Sequence, residues 1–324
     1  MLINGNALHI PLADKSVNMC VTSPPYYGLR DYNVSNQIGL EQTPDEYIAN
    51  LVSVFREVWR VMRDDGTLWV NIGDSYTSDG FNRNSVKLGS GIQADQRAKN
   101  SEYEKQTAPR GSRYYINCGL KNKDLIGIPW MLAFALRADG WYLRSDIIWA
   151  KKNCMPESVK DRPTKSHEYI FLLSKSARYY YDHEAIKEPS VSFDDSQNHT
   201  SNGKKNIVGN MSDRGVTRTT EGLNLKAQSE KTKAKRNKRD VWFVSTKPYK
   251  GAHYATFNPE LIEPCILAGC PEDGIVLDPF VGSGTTIETA IRHRRKGVGL
   301  DLSMKYLIEN AKVRIGMLQP EMCL

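Results

Sequence analysis

The feature that most constrains the fold is a short apolar strand, Ile275 to Leu277. It runs into Asp278-Pro279-Phe280-Val281-Gly282-Ser283-Gly284-Thr285-Thr286 and then into a helix reaching Arg294. A second strand, Gly297 to Leu300, follows. Strand, glycine turn, helix and strand make a βαβ unit, whose two strands lie parallel in one sheet. Earlier in the chain, Val17 to Thr22 is another short apolar strand, and it ends in Ser23-Pro24-Pro25-Tyr26. A helix start follows at Thr43-Pro44-Asp45-Glu46. Thr43 can cap, Pro44 suits the first helical position, and Glu46 completes a capping box. Ile48, Leu51, Val52, Phe55, Val58, Trp59 and Met62 then repeat at helical spacing. Asp65-Gly66 is expected to end that helix and Thr67 to Ile72 to form a buried strand.

The middle and the end of the chain continue the alternation. Pro129 to Ala138 reads as an apolar helix, and Leu143 to Ala150 and Glu168 to Ser174 read as strands. Asn258-Pro259 opens a helix through Leu267, and Ser303 caps a final one. Strands alternating with helices predict an α/β fold with a doubly wound, mostly parallel sheet. With 324 residues the chain can hold one large α/β domain, or a catalytic domain and a smaller module.

Two polar stretches interrupt this pattern. Between 77 and 120, Gly, Ser, Asn, Lys and Arg dominate, which predicts a long surface loop, mobile without a partner. Residues 183–240 are polar again, and Lys226 to Arg239 carries seven cations against one acid, Glu230. A charge run standing alone is a solvated face. Sharing a chain with the Ser-Pro-Pro-Tyr turn, read below as a pocket for a base, it reads as nucleic-acid contact, with Lys233, Lys235, Arg236 and Lys238 expected on phosphates. The formal net charge of +7 is compatible with a polyanionic partner without establishing one.

None of the six cysteines forms a C-x-x-C pair, and no Cys/His cluster has zinc spacing. They read as reduced thiols, and no metal is expected. The N-terminus lacks a basic, apolar leader, and no apolar stretch approaches the ~20 residues that cross a bilayer. The expected location is therefore the cytoplasm of a bacterium, with the chain encoded by that bacterium or by a phage.

The glycine turn is not a phosphate loop, because no Gly-Lys-Ser/Thr follows, and it is not G-x-G-x-x-G. Asp278 before the turn would repel a pyrophosphate but suits an amino group, such as the ammonium of S-adenosyl-L-methionine. The alternative is a tight structural turn with a capping Asp. Gly282 and Gly284 permit positive φ and close backbone approach, and the following helix N-terminus offers N–H groups to a carboxylate. Asp301, at the end of the next strand, is placed to accept hydrogen bonds from ribose hydroxyls.

The Ser-Pro-Pro-Tyr turn suggests the matching chemistry. The exocyclic amine of a base is a poor nucleophile, because its lone pair is delocalised into the ring. Acceptors on its N–H groups favour a tetrahedral, more nucleophilic nitrogen. The Ser23 hydroxyl and the Pro24 carbonyl can supply them. Pro24 and Pro25 stiffen the turn, and Tyr26 can stack on the ring.

Together, Thr22-Ser23-Pro24-Pro25-Tyr26 and the later Asp278 to Thr286 turn resemble the amino-group DNA methyltransferases, in the order of their β-type permutation. Phe257-Asn258-Pro259-Glu260 resembles the segment flanking the methionine part of the cofactor, and Gly297 to Asp301 the ribose-binding segment. Ile148 to Asn153, with Arg162 to Glu168, resembles the segment beside a flipped base. Asn4-Gly5-Asn6-Ala7 stands where many members carry an acid near the cofactor adenine.

The resemblance implies a Rossmann-like methyltransferase fold with an inserted target-recognition region, S-adenosyl-L-methionine as cofactor, and a base flipped from double-stranded DNA. The implied cofactor residues are Phe257, Asp278, Phe280, Gly282, Ser283, Gly284, Thr285 and Asp301; the catalytic ones are Ser23, Pro24, Pro25 and Tyr26. Ser-Pro-Pro-Tyr members usually methylate cytosine N4, and Asp/Asn-Pro-Pro-Tyr members adenine N6, so Ser23 points to cytosine. The implied organisation is a catalytic half at 1–182, a recognition region at 183–240 and a cofactor half at 241–324. A cognate restriction endonuclease is the implied partner, for a monomer or homodimer.

Overall fold

The computed structural model describes residues 1–29, 31–32, 34–77, 119–190, 235–246 and 258–316. Most of residues 77–120, most of the basic run, and Phe257 lie outside them. Eight strands form one sheet: β1 (Leu2–Asn4), β2 (Val17–Thr22), β3 (Met62–Ile72), β4 (Tyr142–Ala150), β5 (His167–Ser174), β8 (Val241–Phe243), β9 (Ile275–Asp278) and β10 (Lys296–Asp301). Their order is β1-β10-β9-β2-β3-β5-β4-β8. All neighbours pair parallel except β5, which runs antiparallel to both β3 and β4. This is the mostly parallel sheet that the alternation predicts, in the Rossmann-like form that the resemblance implies. A separate two-stranded ribbon joins β6 (Glu188–Pro189) to β7 (Lys235–Arg236).

The sheet is buried on both faces, so its central strands are apolar on both sides. Cys20, Leu68 and Val70 enter one core with α1 (Pro44–Val61) and α2 (Ile128–Ala138). Met19, Val21 and Trp69 enter the other, with Leu261, Ile262, Cys265 and Ile266 of α3 (Pro259–Gly269) and Ala290 of α4 (Thr285–Arg292). The capping box forms as expected: Thr43 Oγ1 accepts the Glu46 amide at 3.2 Å, and Glu46 Oε2 accepts the Thr43 amide at 3.3 Å.

The α1–β3 junction differs from the sequence reading. The helix stops at Val61, and Met62 is already extended, at φ −79° and ψ 140°. Asp65-Gly66 lies inside β3, where the pairing with β2 jumps from Val17–Met62 to Met19–Thr67. Gly66 passes so close to Asn18 that a Cβ there would lie 2.9 Å from its carbonyl oxygen. Close strand approach, not helix termination, requires this glycine. The three-residue edge strands β1 and β8 are too short to show periodicity.

Candidate active site

β9 and β2 are parallel neighbours at the centre of the sheet. From β9 the chain crosses to β10 on one side, and from β2 it crosses to β3 on the other. A crevice opens at the carboxyl ends of strands where the order reverses in this way. Here it is a cleft of about 510 Å³. Gly5, Asn6, Phe280, Gly282, Asp301 and Tyr306 line one side; Ser23, Pro24, Tyr26, Asn71, Lys151 and Glu168 line the other.

The two signature turns are tied together beneath the cleft. Thr22 Oγ1 donates to Asp278 Oδ1 at 2.6 Å, and Thr286 Oγ1 donates to Oδ2 at 2.6 Å. The Phe280 amide also donates to Oδ1, at 3.0 Å. Asp278 is 1% exposed and is not among the cleft-lining residues. Its placement therefore departs from the expected ammonium contact: the chain itself satisfies both oxygens, and the residue fixes the turn, as in the capping-Asp alternative. Burial pushes its carboxyl up to about 6, against the three hydrogen bonds that favour the charged form.

One wall of the cleft is built mainly from one βαβ unit. Gly282 takes φ 49°, and its amide donates to Asp301 Oδ2 at 3.1 Å, while the Ser303 amide donates to Oδ1 at 2.8 Å. Burial raises the Asp301 carboxyl above its ordinary range. Asp301 thus presents a carboxylate held by backbone, with further lone pairs available to hydroxyls. Gly284 caps α4 at φ 81°, and a Cβ there would come within 3.0 Å of Ala311. It serves packing and does not line the cleft. Ser283 and Thr285 do line it, but their hydroxyls are both held by Arg314 Nη1. Arg314 in turn pairs with buried Glu288 at 2.8 Å.

The opposite wall gathers distant segments. Tyr47 Oη donates to the Pro25 carbonyl at 2.8 Å, which orients the Pro-Pro turn. Tyr26 Oη donates to Glu168 Oε2 at 2.7 Å. Glu168 also accepts Asn71 Nδ2 at 3.3 Å, and its other oxygen accepts the Lys151 ammonium. Burial first, and the Glu168 charge second, push the Tyr26 phenol well above its ordinary range, so it stays protonated. Sequence reasoning placed the 148–153 and 162–168 segments near this wall by resemblance but gave no role to Asn71, Lys151 or Glu168. An acidic residue opening an otherwise apolar strand was the available signal.

The remaining polar and aromatic residues around the cleft have clear places. Asp74 accepts the amides of Gly127 and Ile128 and caps α2. Trp149 is 7% exposed and also lines the cleft. Asn6 lines it too, with its side-chain oxygen on the Leu8 amide at 3.0 Å. Of the four cations expected on phosphate, Lys233 lies outside the described residues. Arg236 pairs with Glu188 at 2.9 Å, as does Arg239 at 2.7 Å. Lys238 sits 5.0 Å from the centre of the Trp242 ring, and Lys235 lies in the β6–β7 ribbon. Among the described residues there is no group of three or more His, Cys, Asp or Glu that could hold a metal, and no helix long and apolar enough to cross a membrane.

Comparison with known proteins agrees with this geometry. The N6/N4 methyltransferase model, described as DNA methylase, matches residues 17–312. The type II methyltransferase M.Cfr9I of Citrobacter freundii is 46% identical over 308 residues, covering 94% of this chain and 84% of the relative. M.SmaI of Serratia marcescens is 45% identical over 294 residues, covering 90% and 82%. Among solved structures, the PvuII DNA methyltransferase (cytosine-N4-specific) shares the fold at a TM-score of 0.56 and 17% identity, covering 94% of this chain and 83% of that one. A protein of Thermus thermophilus described as a DNA modification methylase, complexed with S-adenosyl-L-methionine, aligns at a TM-score of 0.55 and 20% identity, covering 99% and 94%. The chain belongs to the N6/N4 family of DNA methylases, a family that uses S-adenosyl-L-methionine.

Proposed function

We propose that this DNA methyltransferase transfers a methyl group from S-adenosyl-L-methionine to the exocyclic N4 of a cytosine flipped out of duplex DNA. The observation that carries the reading is the sharing of one cleft by the Ser-Pro-Pro-Tyr turn and the glycine turn, joined by the Thr22–Asp278 hydrogen bond. When bound, the cofactor supplies a methyl group on a sulfonium, a good leaving group. The residues present fit it: Asp301 offers a backbone-held carboxylate to ribose hydroxyls, Gly282 brings backbone to the cleft, and Phe280 and Tyr306 supply apolar surface.

On the other wall, the Ser23 hydroxyl and Pro24 carbonyl accept hydrogen bonds from the target amine and direct its lone pair. The Tyr26 ring packs on the base. Lining by Ser23, where an Asp or Asn would suit the adenine-methylating pattern, supports cytosine. Adenine N6 is the second reading, since a hydroxyl can accept from either amine. Residues 1–182 act as the catalytic half and 241–324 as the cofactor half. Residues 183–240 read the DNA sequence, in a bacterial cytoplasm beside any cognate endonuclease.

Digestion of the methylated DNA to nucleosides, followed by mass spectrometry, tests this reading. N4-methyldeoxycytidine is expected. N6-methyldeoxyadenosine would transfer the reading to adenine, and unmodified DNA would overturn the assignment of the cleft.

A further inference from the structure

The Glu168 carboxylate needs an explanation that the fold alone does not supply. Its side chain is 13% exposed and that of Lys151 21%. Burying a charge pair is costly, and such a pair is weak evidence of stability by itself. Position is more informative. β5 is the strand that reverses direction, so its first residues meet the carboxyl ends of its parallel neighbours. Glu168 lies opposite Trp149, two residues before Lys151, and one step beyond Tyr169, which lies opposite Ile72 of β3. An antiparallel strand therefore delivers an acid to the edge where the parallel strands open the cleft.

Three side chains hold that acid, and one of them is Tyr26. Oε2 accepts the Tyr26 hydroxyl at 2.7 Å, Asn71 Nδ2 reaches the same oxygen at 3.3 Å, and Lys151 occupies Oε1. Lys151 is itself seated 4.8 Å from the centre of the Trp149 ring. Gly73 closes the ring from another side: a Cβ there would lie 2.7 Å from Tyr26 Cε2. The ring is thus fixed at its hydroxyl by a charge-assisted bond and along its edge by a residue with no side chain. Charge-assisted bonds are the strong ones, and they are directional.

We propose that Glu168 is a positioning residue for methyl transfer: clamped by Lys151 and Asn71, its carboxylate holds the Tyr26 hydroxyl and so fixes the ring that faces the target base. This rests on the reading of Tyr26 as a wall of the base pocket. Tyr26 then acts through its hydroxyl as well as its ring, so phenylalanine is not an equivalent at this position. A displaced ring misorients the base, and small misplacements of reacting groups slow transfer strongly.

The test is a double-mutant cycle on single-turnover methylation of duplex DNA at saturating DNA and S-adenosyl-L-methionine, with Tyr26→Phe, Glu168→Gln and the double variant. Each single change is expected to slow transfer by roughly tenfold, the scale of one hydrogen bond to a charged group. The double variant is expected to be no slower than the slower single one. Calorimetric affinity for S-adenosyl-L-methionine should stay at the wild-type value in all three, which a general loss of structure would not allow. Tyr26→Phe at the wild-type rate, or losses that multiply in the double variant, would overturn the proposal while leaving the cleft assignment intact. Wild-type protein without transfer would overturn both.

Discussion

The two walls of the cleft are built by different means. The wall proposed for the cofactor comes mainly from one contiguous stretch, Ile275 to Ser303, in which a glycine turn, a helix N-terminus and Asp301 follow one another in a βαβ unit. The wall proposed for the base is assembled from the ends of β2, β3 and β4 and the start of β5, across residues 23 to 168. Backbone amides dominate the first, and side-chain contacts dominate the second. A wall made of backbone is set by the local fold and tolerates changes at a distance. A wall made of side chains depends on each partner keeping its place.

That contrast can be broken most forcefully at the seam. Asp278→Ala should leave the hydroxyls of Thr22 and Thr286 without their acceptor in a buried site and loosen both turns. A loss of about 3 kcal/mol of stability is expected, measured by urea denaturation. The pH dependence sharpens the same point. Asp278 titrates in the folded chain at about 6, above its ordinary 3.8. The folded state therefore holds the extra proton, so this residue's stabilising contribution is full below about pH 4 and is lost as the pH rises through about 6. Asp278→Asn should flatten the stability profile across that window; an unchanged slope would assign it to other groups.

Each wall can then be weakened alone. Tyr26→Ala should slow methyl transfer by about tenfold to a hundredfold, the scale of one lost base–aromatic stack, in a single-turnover assay. Asp301→Ala should weaken S-adenosyl-L-methionine by about 2 kcal/mol, as for a hydrogen-bonded charged group, and leave DNA affinity in a filter-binding assay unchanged. The smallest effect belongs to the basic run. Replacing Lys233, Lys235, Arg236 and Lys238 together should flatten the salt dependence of DNA binding, by up to ~0.9 log units of slope per lost phosphate contact. Arg236 already shares Glu188 with Arg239, so it should contribute least.

The same contrast explains what the sequence could reveal. The βαβ unit, the Thr43 capping box and the Ser303 cap are local patterns, and they stand where residue order places them. The place of Asp301 at the strand end that lines the cleft was legible for that reason. Asn71 and Lys151 were not, because their meeting depends on the reversal of β5, and Glu168 showed only as an acid at the start of an apolar strand. Asp278 was legible as important, but its burial against Thr22 and Thr286 was not. Nothing in its neighbours in sequence announces that Thr22, 256 positions away, takes one of its oxygens. Gly66 shows the complementary error: a local helix-ending signal was overruled by the close approach of Asn18.

The central claim is that the cleft has two separable walls, one for the cofactor and one for the base. Calorimetric titration of S-adenosyl-L-methionine into the Tyr26→Ala and Asp301→Ala proteins tests it most directly. Wild-type affinity is expected in the first and a clear loss in the second. A loss in Tyr26→Ala as large as that in Asp301→Ala would contradict it, because the two walls would then hold the same ligand.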